Sequence, residues 1–181
     1  MKAGSKISYV ILFVLLFAAF IMLPLGMVIY EHTIVEWWIP VTAAAIIAIG
    51  TTPMLFRKWA TLTNMRYAII NILCNLFVAG SFSYTLFLGV NYWWANDTSA
   101  TQVETTVVNK FKKAHTKYRR VSRRTRVADG HWYSYHLELE LPDGRHKAVE
   151  VPFSTYKKTR TNNTRSITVE RGLLGMDIIK N

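Results

Sequence analysis

Cysteine is nearly absent from this 181-residue sequence, because Cys74 is the only one and it lies within an apolar run. A single thiol can form neither an internal disulfide nor a cysteine-based metal cluster. The sequence also lacks the G-x-S-x-G, S-x-x-K and G-x-x-x-x-G-K-[ST] motifs of common serine enzymes and phosphate-binding loops. We therefore predict no catalytic residue, cofactor site or metal site, and we expect the protein not to be an enzyme.

Charged residues are missing from three long apolar segments, at residues 7–30, 38–56 and 67–94. The first has 24 residues and would measure roughly 36 Å as a helix, enough to cross a hydrocarbon core of about 30 Å. It is longer than the apolar part of a signal peptide and has no convincing cleavage site, so we expect it to be retained. Aromatic rings that favour the headgroup region bracket the segments, at Tyr9, Tyr30, Trp37, Trp38, Trp59, Tyr67, Tyr92, Trp93 and Trp94. The pattern predicts three transmembrane helices, with Pro24 and Gly26 bending the first.

Basic residues near the ends of these segments predict the orientation. Lys2 and Lys6 precede the first segment, and Arg57, Lys58 and Arg66 lie between the second and third, whereas "EHTIVEW" between the first two has no Lys or Arg. Cytoplasmic loops collect Lys and Arg. We therefore expect a cytoplasmic amino terminus and a domain at residues 95–181 on the opposite side, after a transmembrane region at residues 1–94.

Two asparagines interrupt the third segment. Asn71 and Asn75 are four residues apart and share one helix face. They could hydrogen-bond to a neighbouring helix or line a transport path. Because the segments contain no ionisable residue of the kind that ion-coupled carriers use, we favour the helix contact.

From Val103 onward the apolar residues recur every second position, as in a small antiparallel β-domain of about five or six strands. The sequence "LPDGR" predicts a three-residue hairpin loop that pairs Leu141 with Arg145. This register opposes Leu137 to Val149 on a buried face. A second hairpin turn is predicted at "VADGHWY", a helical turn and loop at "STYKKTRTNNT", and a tight turn with a final strand at "GLLGMDII".

The same register predicts cross-strand pairs between His136 and Glu150 and between Glu140 and His146. We expect both pairs on a solvated face, where each is worth about 0.2–1 kcal/mol. Their spacing matches no zinc motif such as His-Glu-x-x-His, so we interpret them as surface pairs.

A strongly basic segment, "KKAHTKYRRVSRRTR" at residues 112–126, has eight Lys and Arg and no acidic residue. It could contact an anionic partner, or its charge could simply protect an edge strand from aggregation. Outside the cytoplasm, anionic lipid headgroups, acidic envelope polymers or an acidic protein surface fit better than nucleic acid. The candidate contact residues are Arg119, Arg120, Arg123, Arg124, Arg126 and Trp132.

The "YHLELELPDG" hairpin and the closing "VERGLLGMDII" resemble uncharacterised bacterial membrane proteins of the Bacteroides type, over residues 103–179 at most. The resemblance implies a bacterial inner-membrane protein with a small β-domain outside the cytoplasm, and it brings no catalytic residue. We expect an accessory, assembly or binding component of an envelope complex that has a protein partner. The alternative is an immunity-type protein against a membrane-active or envelope-active toxin.

Overall fold

The computed structural model describes residues 3–65 and 67–180, so Lys2 and Arg66 lie outside the described residues. The chain divides into two compact units. The helical unit comprises the chain up to Ser99 together with Glu170–Ile179, and the β-unit comprises Ala100–Val169 together with Lys180.

The secondary structure consists of three long helices followed by strands, as the sequence predicts. The helices are α1 (Ala3–Glu31), α2 (Trp38–Thr63), α3 (Ala68–Trp93) and the short α4 (Phe153–Lys158). The strands are β1 (Thr33–Ile34), β2 (Thr101–Arg120), β3 (Arg126–Glu140), β4 (His146–Val151), β5 (Thr164–Arg171) and β6 (Asp177–Lys180), in one antiparallel sheet of order β1-β6-β5-β2-β3-β4.

Each of the first three helices is long and apolar enough to cross a membrane. The segments are Ile7–Glu31, Trp38–Thr63 and Ala68–Trp93. The second is longer than the predicted 38–56, because α2 continues past Arg57 and Lys58. The predicted segment itself contains no ionisable residue, but the last two turns of α2 add these two basic residues to the helix.

Trp59 explains why α2 continues, because it is buried and packs in a core with Ala19 of α1 and Val78 of α3. The prediction that Trp59 faces the headgroup region is therefore wrong. Its indole Nε1 donates a hydrogen bond to Asn75 Oδ1 at 2.9 Å. This bond gives the ring a polar partner inside the bundle, which the headgroup zone would otherwise supply.

The asparagines of α3 bind the preceding helix, as predicted. Asn75 Nδ2 donates to the Ala48 carbonyl at 2.9 Å and to Thr52 Oγ1 at 3.0 Å. Asn71 Oδ1 accepts a hydrogen bond from Thr63 Oγ1 at 2.7 Å. Both asparagines are buried, so α2 and α3 are joined by polar contacts in an otherwise apolar interface.

A two-residue strand in the connection between α1 and α2 was not predicted. Thr33 and Ile34 pair with Ile178 and Asp177 of β6, and the His32 carbonyl accepts a hydrogen bond from Ile179. Two residues are too few to show a sequence alternation, so only their distant partner identifies them as a strand.

The hairpin of β3 and β4 has the predicted register. Tyr135, His136, Leu137 and Glu140 pair with Val151, Glu150, Val149 and His146, respectively. The core of the β-unit lies on the face that carries Leu137, and its buried members are Val107, Leu137, Leu139, Leu141, Val149, Val151, Ile167 and Val169.

The second predicted hairpin turn is wrong, because "VADGHWY" lies inside β3. The chain reverses instead at residues 121–125, where the Thr125 carbonyl accepts a hydrogen bond from the Val121 amide at 3.0 Å. Asp129 and Gly130 fall at a register shift opposite Thr116–Tyr118, and Gly130 has φ +86°. A glycine with positive φ suits a β-bulge as well as a turn, so the local letters do not separate the two.

Candidate functional site: a basic two-stranded ribbon

The paired strands β2 and β3 continue well beyond the rest of the β-unit. β4 pairs with β3 only as far as Tyr135, and β5 pairs with β2 only at Thr101–Thr106. Residues 113–134 therefore form a two-stranded hairpin, which we call the basic ribbon. Its eight residues on β2, Lys113–Arg120, of which seven are paired with β3, span roughly 27 Å at about 3.4 Å per residue.

The ribbon has a large excess of positive charge. It contains seven Lys and Arg and one Asp, a net of 7 − 1 = +6. Its residues are exposed from Thr116 to Tyr133. An isolated two-stranded hairpin is only marginally stable, so side-chain contacts within the ribbon matter for its persistence.

Two of the predicted contact residues already have partners within the ribbon. Arg120 donates from Nε to the Ser122 carbonyl at 3.1 Å and from a terminal nitrogen to the Arg123 carbonyl at 2.8 Å. Ser122 Oγ also accepts from the amide of Thr125 at 3.2 Å. The Arg120 side chain therefore stabilises the backbone of the turn.

Arg119 is also engaged, since its Nε lies 3.6 Å from Asp129 Oδ2. Both side chains are exposed, so this ion pair contributes at most about 1 kcal/mol. Within the described residues, the guanidinium groups of Arg123, Arg124 and Arg126 have no hydrogen-bond or ion-pair partner. These three line an open concavity of about 320 Å³ at the turn, together with Arg120, Ser122 and Thr125.

Trp132 is not brought to this turn. It pairs with His115 and stacks on its ring, with centroids 4.1 Å apart and an interplanar angle of 16°. The Arg120–Arg126 pair lies five positions further along β2, about 17 Å away. The predicted site is therefore split into an arginine turn at the tip and an aromatic contact near the base.

A hydrogen-bonded chain of His115, Ser134 and His136 stabilises the base of the ribbon. Ser134 Oγ lies 2.8 Å from His115 Nε2 and 3.0 Å from His136 Nε2. The hydroxyl has one proton, so it can donate to one imidazole while accepting from the other. Phe111 stacks on His136 with centroids 5.2 Å apart.

The prediction that His136 lies on a solvated face is wrong, since only 8% of it is exposed. Phe111, directly opposite on β2, covers the ring. In the sequence, only the i, i+2 spacing of Ser134 and His136 points to this hydrogen-bonded group. His115 joins it through the pairing of β2 with β3, which cannot be derived when the turn between these strands is placed at "VADGHWY". The other predicted pair, Glu140 and His146, is in register across the strands, and His146 Nδ1 also lies 3.9 Å from Oε1 of Glu138 at the diagonal position.

The described residues contain no group of three or more His, Cys, Asp and Glu side chains placed to hold a metal ion. No protein-family model matches the chain, and no curated protein or solved structure is significantly similar to it. Function is therefore inferred from the residues and their geometry.

Proposed function

We propose that this is an integral membrane protein of the bacterial inner membrane that presents its basic ribbon to an anionic partner outside the cytoplasm. It acts as a binding or assembly component of an envelope complex, and its role is recognition rather than catalysis. The observation that carries this proposal is the tip of the ribbon, where Arg123, Arg124 and Arg126 line one concavity and, within the described residues, have no acidic partner.

Two features favour binding over mere protection against aggregation. Charge that only protects a strand edge would be needed along the whole strand, whereas five of the ribbon's seven Lys and Arg lie at residues 119–126, in the turn and the positions directly beside it. Arg120 and Ser122 also fix the turn backbone, which reduces the conformational entropy lost when a ligand binds.

The side assigned to the β-unit rests on the distribution of basic residues in the sequence. Lys2 and Lys6 precede the first span, and Arg57 and Lys58 lie in the last two turns of α2. Because cytoplasmic loops collect Lys and Arg, this distribution favours a cytoplasmic amino terminus and puts the end of α3 on the other side. Alkaline phosphatase and green fluorescent protein fused after Asn181 in separate strains test this assignment. We expect phosphatase activity without fluorescence, and the reverse result would place the β-unit in the cytoplasm.

The binding test compares two triple variants of the full-length protein in nanodiscs of neutral phosphatidylcholine. The first, R123Q/R124Q/R126Q, removes the partner-free guanidinium groups, and the probe is a vesicle containing phosphatidylglycerol. Each basic residue near an anionic surface contributes about 1 kcal/mol, so we expect the dissociation constant to rise roughly 100-fold.

The control variant K157Q/K158Q/R160Q removes the same charge from exposed positions in and after α4. It should lose much less affinity. Equal losses in the two variants would show that binding follows net charge alone and would contradict a site at the turn. No binding of the wild-type protein to the vesicles would leave an acidic polymer or protein as the partner to be tested with the same pair of variants.

A further inference from the structure

The turn between β5 and β6 exposes two leucines. Gly172 and Gly175 close it, with hydrogen bonds from the Gly172 amide to the Met176 carbonyl and from the Gly175 amide to the Gly172 carbonyl, both at 2.9 Å. Gly175 has φ +80°, which a glycine adopts without strain. Leu173 is 61% exposed and Leu174 is 46% exposed, so a large part of each apolar side chain lies at the surface of the helical unit.

Asn91 fixes this turn to the carboxyl end of α3. Its Oδ1 accepts from the Leu174 amide at 2.9 Å, and its Nδ2 donates to the Met176 carbonyl at 3.0 Å. Asn91 is fully buried. Gly172 packs so closely on the Asn91 amide that a Cβ there would overlap it. The turn is thus held at a defined level of the helix.

The turn therefore lies beside the carboxyl end of α3. Trp93 and Trp94 are both exposed, and exposed tryptophans at the end of a spanning helix favour the headgroup region. Asn91 lies three residues before Trp94, about 4.5 Å along the helix axis. Leucines held at this depth face the boundary between headgroups and acyl chains.

A polar group lies beside the leucines. Arg171 is exposed, its amide donates to Ser99 Oγ at 3.0 Å, and its carbonyl accepts from the Asn96 amide at 3.3 Å. Its side chain borders a cleft of about 510 Å³ that Trp94, Leu173 and Leu174 also line. The cleft therefore combines one cation, an aromatic ring and apolar side chains.

We infer that this cleft binds a phospholipid of the surrounding leaflet. The Arg171 guanidinium contacts the lipid phosphate, Trp94 lies beside the headgroup, and Leu173 and Leu174 contact the first methylene groups of the acyl chains. Arginine suits this role because its planar group matches phosphate geometry. The inference does not depend on the ribbon's partner or on the side of the membrane.

The first test measures the depth of the turn in the full-length protein. Leu173→Cys in a Cys74→Ser background is labelled with an environment-sensitive fluorophore and placed in phosphatidylcholine nanodiscs whose lipids carry bromine near the headgroup or deep in the chains. We expect stronger quenching by the shallow bromines and weak quenching by aqueous iodide. Phe20→Cys, a lipid-facing position within α1, serves as the control and should be quenched more by the deep bromines. A label at position 173 that iodide reaches and neither lipid quenches would overturn the inference.

The second test concerns the phosphate contact. Native mass spectrometry of the protein released from nanodiscs should show one retained phospholipid fewer for R171Q than for the wild type. R160Q removes an exposed arginine elsewhere and should retain the wild-type number, and R171K should restore at least part of the loss. Equal retention by R171Q and the wild type would overturn the contact. A loss that R171K does not restore while its thermal unfolding is normal would assign the contact to arginine geometry rather than charge.

Discussion

Asn75 is expected to be the strongest polar link in the helical unit. Replacing it with leucine keeps the approximate volume and removes the acceptor of Trp59 Nε1 and the donor to Ala48 and Thr52. Asn75 is completely buried, so neither lipid nor water can take its place. The variant N75L should therefore loosen α3 from α2.

The magnitude follows from the partners that remain. Interhelical hydrogen bonds in membranes contribute about 0.6 kcal/mol each on average, so three of them amount to about 1.8 kcal/mol. The Ala48 carbonyl keeps a bond from Thr52 Oγ1 at 2.8 Å, whereas the Trp59 indole N–H loses its acceptor, Asn75 Oδ1. An unsatisfied buried donor costs about 1–3 kcal/mol. We expect N75L to lower the free energy of unfolding by about 2–3 kcal/mol.

The assay is reversible unfolding in mixed micelles, followed by helix circular dichroism, for N75L, W59F and the double variant. Because W59F removes the donor that N75L leaves unpaired, the double variant should lose about 1 kcal/mol less than the sum of the single losses. Ile69→Ala, at a lipid-facing position of α3, should change stability by less than about 0.5 kcal/mol. Strict additivity of the two single variants would refute the assigned hydrogen bond.

Three further predictions test close packing, the bulge and the β3–β4 turn. A Cβ at Gly26 would lie 2.7 Å from a tyrosine ring of α3, so Gly26→Ala should cost about 1–3 kcal/mol in micelle unfolding, whereas Gly50→Ala, in open space, should not destabilise. Gly130 has φ +86°, so Gly130→Ala should cost about 1–2 kcal/mol and speed amide hydrogen exchange along the ribbon; unchanged exchange would contradict the bulge. The hydrogen bond from the Arg145 side chain is the main reason why the pKa of Asp143 is lowered. The ionised carboxylate therefore stabilises the folded protein fully above about pH 4, and this contribution to the free energy of unfolding is lost as the pH falls through the lowered pKa. Asp143→Asn should therefore reduce the loss of stability between pH 7 and pH 3, and identical losses in both proteins would refute this assignment.

The sequence predicts those parts of the fold that depend on repeated local patterns. Three uninterrupted apolar runs are sufficient to identify the membrane helices, and alternating residues on both sides of "LPDG" are sufficient to set the register of β3 and β4. In that hairpin a slip of one residue would oppose Leu137 to Glu150, so the hydrophobic pattern has a single good solution.

Features that depend on distant partners could not be predicted in this way. Trp59 resembles an interfacial ring until Asn75 is placed beside it, and His136 resembles a solvated residue until Phe111 covers it. Gly130 illustrates a different difficulty, because a bulge and a turn use the same glycine conformation. A turn at "VADGHWY" would bring Trp132 close to the arginines, whereas the observed turn at residues 121–125 leaves it opposite His115. Trp132 therefore lies outside the cluster of arginines.

Strand β1 has a consequence for the order of folding. Ile34 pairs with Asp177, 143 positions later in the chain, whereas Leu137 pairs with Val149 only 12 positions later. Synthesis proceeds from the amino terminus, so the three helices and the β3–β4 hairpin can form while β1 still has no partner strand. The connection between the first two helices thus reaches its final conformation only after residues 177–178 have been made.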